Sequence, residues 1–158
     1  MNTTLRFLQY FSLGAWVGSI FYFVAITPGL FRVIPNQDTT GLVVEFAITR
    51  LHTMGVVAGI IFLIASATLA MDSPATARRL SLPAAGVSTM ILLTIYSQHV
   101  IISRMMDLRH EMVSVVATPD SDPRHQEFDR LHSLSVDAEG AVLLIGFASL
   151  FLTARRDT

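Results

Sequence analysis

The chain has 158 residues, room for one compact domain, and 52% of them are hydrophobic while only 15% are charged, well below the roughly 25% charge of an ordinary soluble domain. Its net charge of -1 gives no electrostatic footprint for nucleic acid, and the absence of cysteine excludes disulfides, thiolate metal sites and thiol nucleophiles. A mean hydropathy of +0.56 fits contact with a lipid bilayer.

Four apolar runs carry the fold prediction, at about 5–26, 51–71, 80–102 and 131–153. Each reaches the roughly 20 residues that a helix needs to cross a hydrocarbon core. None alternates with the period of two that marks a membrane strand. The first run is too long for a signal-peptide core, and FVAITPG lacks a small-x-small cleavage pattern. The expectation is an all-α bundle of four transmembrane helices in a single domain.

Pro28 and Pro35 bracket the break after the first run. Asp38, Thr39 and Thr40 are N-cap types, so the second helix is expected to start near Gly41. The third helix is expected to continue beyond the membrane through RMMDLRHEMVSVV, with a turn over 118–122. Asp122 followed by Pro123 reads as an N-cap and first helical residue. Helices three and four would then project as an antiparallel hairpin, with Asp107 and Glu111 facing Arg124 and Arg130.

Arg6, Arg78, Arg79, Arg155 and Arg156 sit tight against span ends in short tails and one short loop. The other arginines lie in long connections mixed with acids. This asymmetry predicts that both termini are cytoplasmic. Gly14 and Gly18 on the first helix, and Gly55 and Gly59 on the second, form GxxxG pairs suited to close helix packing, to a homodimer or to a partner subunit.

Up-and-down topology brings the start of helix two, the end of helix three and the start of helix four to one face. His52, His99 and His132 occupy those positions. Tyr96, His99, Ser103 and Asp107 follow helical spacing on helix three, and Phe128, His132, Ser135 and Glu139 do so on helix four. Glu139 falls deep in a span, where an ionised carboxylate costs about 2.5–3.5 kcal/mol and needs a partner or a proton. Four readings stay open. The first is an internal hydrogen-bond network joining Tyr96, the histidines, Glu139 and Arg104. The second is a zinc or copper(II) site on the three imidazoles plus a carboxylate. The third is a haem held by two of them, and the fourth is a proton or small-solute path through Glu139. No HExxH, HxxxH, GxSxG or P-loop spacing is present.

The runs WVGSIFYFVAITPGLF, RLHTMGVVAG, YSQHVIISRMMDLR and FDRLHSLSV resemble the bacterial membrane protein family related to transmembrane protein 205, over nearly the whole chain. The FxxLHxxS segment from Phe128 and the Trp16–Gly18 pair are the more specific parts, and Leu51-His52 and Leu131-His132 match the family's LH pairs. Asp137 and Glu139 depart from it, falling where an amide or apolar residue is more usual. The resemblance implies a four-helix membrane domain without an assigned activity or catalytic residue. The expected role is an accessory or structural subunit of a bacterial cytoplasmic-membrane assembly. Metal or haem binding and a proton or solute pathway are the alternatives.

Overall fold

The computed structural model describes residues 2–155, so Arg156 of the basic cluster lies outside the described residues. The chain runs as α1 (Asn2–Val33), α2 (Gln37–Ala70), α3 (Pro74–Tyr96), a π-helical stretch (Ser97–Ile102), α4 (Ser103–Met112) and α5 (Pro123–Ala154). No strand occurs among the described residues. Because α3, the π-helical stretch and α4 run on without a break, the fold has four long helices. Each is long and apolar enough to span a membrane.

Local chemistry accounts for most of the boundaries. α1 carries Pro28 inside it and continues to Val33, so the first break lies only around Pro35. α2 begins at Gln37, earlier than the expected Gly41. Its N-cap is Asn36, whose side chain accepts from the Thr39 amide. The expected cap Asp38 is recruited elsewhere: its carboxylate accepts from Ser114 Oγ at 2.6 Å and the Val115 amide at 3.0 Å. Ser73 caps α3 by accepting from the Thr76 amide.

α4 stops at Met112, short of the expected run through Val116, because Val113 adopts φ 65° and ψ -45°. The Ser114 amide then donates to the Met112 carbonyl at 2.7 Å, closing a γ-turn. Positive φ is strained for a β-branched residue, and the Asp38 contacts hold the chain directly after the turn. Asp122 caps α5 with Pro123 in the first turn. Hydrogen bonds from the Arg124 guanidinium and then the Arg124 amide hold the Asp122 carboxyl down at about 2.

The helices form a closed ring. α1 packs on α2, α2 on α3, α3 on α5, and α5 returns to α1. α2 and α5 therefore stand diagonally across the bundle. Leu13, Trp16, Val17, Ile20, Leu51, Phe62, Val87, Met90 and Val142 fill its centre. Large apolar side chains such as Phe11, Phe21, Ile64, Leu92, Leu144 and Phe151 point outward, as contact with acyl chains requires. In lipid such a bundle gains little from hydrophobic burial, so close packing and internal polar contacts hold it.

Close approach at glycines recurs around the ring, at Gly86 against Ser149 and at Gly146 against Val17 and Met90, and between α1 and α2 it takes a particular form. A Cβ at Gly55 would lie 2.2 Å from Trp16 Nε1, and one at Gly59 would lie 2.8 Å from Trp16 Cζ3. The indole of α1 is thus laid on the bare backbone of α2. Gly14 and Gly18 play no part in this, since a Cβ at either meets nothing within 4 Å. The paired-glycine interface expected between helices one and two is replaced by a tryptophan lying against one glycine pair.

Candidate functional site

The buried stripe of α2 runs through Ile48, Leu51, His52, Gly55, Gly59 and Phe62, and that of α5 through Ser135, Glu139, Val142 and Gly146. Both follow the three-and-four spacing of a helix face. They meet across the diagonal of the ring, where His52 Nε2 lies 2.5 Å from Glu139 Oε1. His52 is 2% exposed and Glu139 6%, so the pair sits inside the bundle.

The third member comes from the π-helical stretch. His52 Nδ1 lies 2.8 Å from Gln98 Oε1. Gln98 Nε2 donates towards Thr49 Oγ1 at 3.5 Å, which leaves the amide oxygen to accept from the imidazole. With the Gln98 amide so oriented, Nδ1 carries a hydrogen, and a proton between Nε2 and Glu139 completes the second contact. That proton rests either on the imidazole, opposite a carboxylate, or on Glu139, opposite a neutral imidazole. Both arrangements leave the pair neutral overall, which suits a low-dielectric interior.

Glu139 uses only one oxygen in this contact. Among the described residues, Glu139 Oε2, Trp16 Nε1, Thr94 Oγ1 and Ser97 Oγ are buried without a hydrogen-bond partner. Arg109 Nε is a further such atom, although it faces Glu45 Oε2 at 3.6 Å.

The three histidines of the sequence prediction are not brought together. His52 is buried, whereas His99 and His132 are exposed. No group of three histidine, aspartate, glutamate or cysteine side chains suited to a metal occurs among the described residues. The cause is rotational. Tyr96, His99, Ser103 and Asp107 do share a face of the third helix, but all four are exposed; the inward face carries Met90, Thr94, Ser97 and Ile101. Ser103 Oγ donates to the Gln98 carbonyl five residues back, at 3.2 Å, the spacing of a π-turn. On α5, Ser135 and Glu139 point inward while His132, one turn earlier, points out.

Arg104 stands apart from the pair. Its guanidinium donates to both carboxylate oxygens of Glu127 on α5, at 2.9 and 3.1 Å, and to Glu111 at 3.4 Å. Those bonds hold the Glu127 carboxyl below the usual range. The expected arginine partners across the hairpin are re-sorted: Arg124 binds Asp122 and donates to the Glu111 backbone carbonyl at 3.1 Å. Gln98 and Trp16 are the members that sequence reasoning missed. The YSQHV run put Gln98 beside a more conspicuous histidine, and Trp16 entered only through the family resemblance, with Gly18.

The family model described as a domain of unknown function, DUF4149, matches residues 11–114. Trp16, His52, Thr94, Ser97 and Gln98 lie inside that segment, while Glu139 on α5 lies beyond it. No curated protein matches the chain, and no solved structure does.

Proposed function

The chain belongs to the DUF4149 family, and from that premise we propose that it is a membrane protein that takes up a proton inside its bundle, at His52 and Glu139, as part of a proton or small-solute pathway. One observation carries this reading: an imidazole and a carboxylate in hydrogen-bond contact across the bundle diagonal, both almost fully buried. Ionisable groups within membrane spans are costly, and they mark ion pathways and proton relays. Two titratable groups sharing a proton can release it or accept a second when water or solute reaches them. The His52–Gln98–Thr49 contacts lead outward from the pair towards the face where α2 and α5 begin. The opposite direction is filled by Phe62, Val87, Met90 and Val142.

The test is proton flux in vesicles reconstituted with the purified protein, driven by an imposed pH gradient and read with a trapped pH-sensitive dye. Glu139→Gln keeps the shape and a hydrogen bond but cannot exchange a proton. It is expected to lower flux at least about tenfold. Unchanged flux in the variant, or wild-type flux no greater than that of empty vesicles, overturns the reading.

The remaining features of the proposal follow the sequence. The chain is placed in a bacterial cytoplasmic membrane with both termini in the cytoplasm, alongside the family related to transmembrane protein 205. Arg6 near the α1 start, Arg78 and Arg79 in the first turns of α3, and Arg155 just after α5 support that orientation. α4 and the first turns of α5 extend past the membrane as a hairpin, a reading supported by the Arg104–Glu127 and Arg104–Glu111 ion pairs. A second role, as an accessory subunit, is favoured by a groove of about 580 Å³ on the outer side of α1 and α2. Gly14, Gly18, Tyr22, Ala47 and Met54 are among the residues lining it.

A further inference from the structure

Four of the five orphaned polar atoms among the described residues, all but Arg109 Nε, come from three different helices, and their residues fall within about one turn of the His52–Gln98–Glu139 contact in helical register. Trp16 Nε1 rests over Gly55, three residues after His52 on the same face of α2. Ser97 is the chain neighbour of Gln98, and Thr94 precedes Ser97 by one turn on the same inward stripe. Oε2 belongs to Glu139 itself. The helix register agrees. A Cβ at Gly146 would touch Met90, and seven residues along each antiparallel helix from that level lead to Glu139 and Ser97, both about 10 Å away.

Serine and threonine in a helix commonly satisfy themselves on the carbonyl four residues back. Ser12, Thr89 and Thr153 do so here, whereas Thr94 and Ser97 do not. A buried polar group without a partner calls for a specific occupant. The donor set selects it. Indole N–H can only donate, a carboxylate oxygen only accepts, and a hydroxyl does either. A bare cation cannot accept from the indole, and an anion would meet the carboxylate. Water does both, and buried waters characteristically make two to four such bonds.

We propose that Trp16, Thr94, Ser97 and Oε2 of Glu139 bind internal water, which extends the His52–Glu139 pair towards the bundle centre and makes the indole N–H part of its hydrogen-bond chain. The proposal deepens the proton reading above and rests on the same pair. Its readout does not depend on flux: a hydrated pair in a protein without flux would remove the pathway and leave the water site standing.

Trp16 is the only tryptophan in the chain, so its spectrum reports this site alone. In reconstituted protein, the ultraviolet resonance Raman band that senses indole N–H bonding is expected at its hydrogen-bonded position. Infrared spectra are expected to contain an O–H stretch that shifts in H2 18O. Glu139→Gln is expected to move both bands. Ser97→Ala provides the same comparison if the glutamine variant does not fold, and it should lose the isotope-sensitive band. A free indole N–H overturns the proposal, as does a bonded one with no isotope-sensitive water band that answers to either variant. A response to added sodium at fixed pH overturns it too, by assigning the space to a cation.

Discussion

His52 and Glu139 hold each other across a diagonal where the backbones of α2 and α5 do not approach, so the loss of one strands the other inside the bundle. Glu139→Leu leaves His52 Nε2 facing hydrocarbon, and His52→Leu leaves a carboxyl without its donor. Breaking a buried pair from one side costs about 3–5 kcal/mol. Replacing both by leucine removes the stranded group, and the double variant is expected to lie within about 1 kcal/mol of wild type, as apolar replacements of buried pairs often do. Thermal unfolding in detergent, run as a double-mutant cycle, measures this. Additive losses would show that the two side chains are not coupled. At this scale the sequence was only half legible. Glu139 stood out because a carboxylate deep in an apolar run has to be satisfied. His99 and His132 stood out equally, but composition says nothing about which way a side chain faces. Gln98 carries no charge, and nothing in its neighbourhood distinguished it.

Among the elements, α1 and α2 show how a glycine pair is used. The indole of Trp16 lies on Gly55 and Gly59, filling the space that two facing glycine pairs would have closed by backbone contact. Gly55→Ala puts a methyl into the ring edge and is expected to cost about 1–3 kcal/mol, as overpacking does. Gly18→Ala meets nothing within 4 Å and is expected to change stability by less than about 0.5 kcal/mol. Melting temperatures of the two variants in one detergent decide it, and equal shifts would contradict the packing. All four long helices were visible in advance, since each apolar run is too long for anything else. Their ends were less so. Asp38, Thr39 and Thr40 looked like caps, but Asn36 takes that role while Asp38 binds Ser114 and Val115 from the far end of α4. A contact between residues so distant in sequence leaves no local signature.

For the molecule as a whole, the ring of helices carries a concave flank, the groove beside Gly14 and Gly18 on α1. If a partner subunit or second copy seats there, Gly18→Leu should abolish cross-linking or co-purification in mild detergent while leaving the monomer's melting temperature within about 2 °C. Association that survives the substitution would place any partner elsewhere. α3 and α4 are joined without a break, and there the winding of six residues, Ser97–Ile102, sets the geometry. Their wider turns absorb backbone that an α-helix would spend on rotation. Tightening them to ordinary pitch by one residue would turn everything beyond by about 100°, carrying Leu108 and Met112 off their seats and Arg104 away from Glu127. The twist beside the central amide and the heading of α4 are therefore one mechanical variable, like thread and bolt, and neither can change alone.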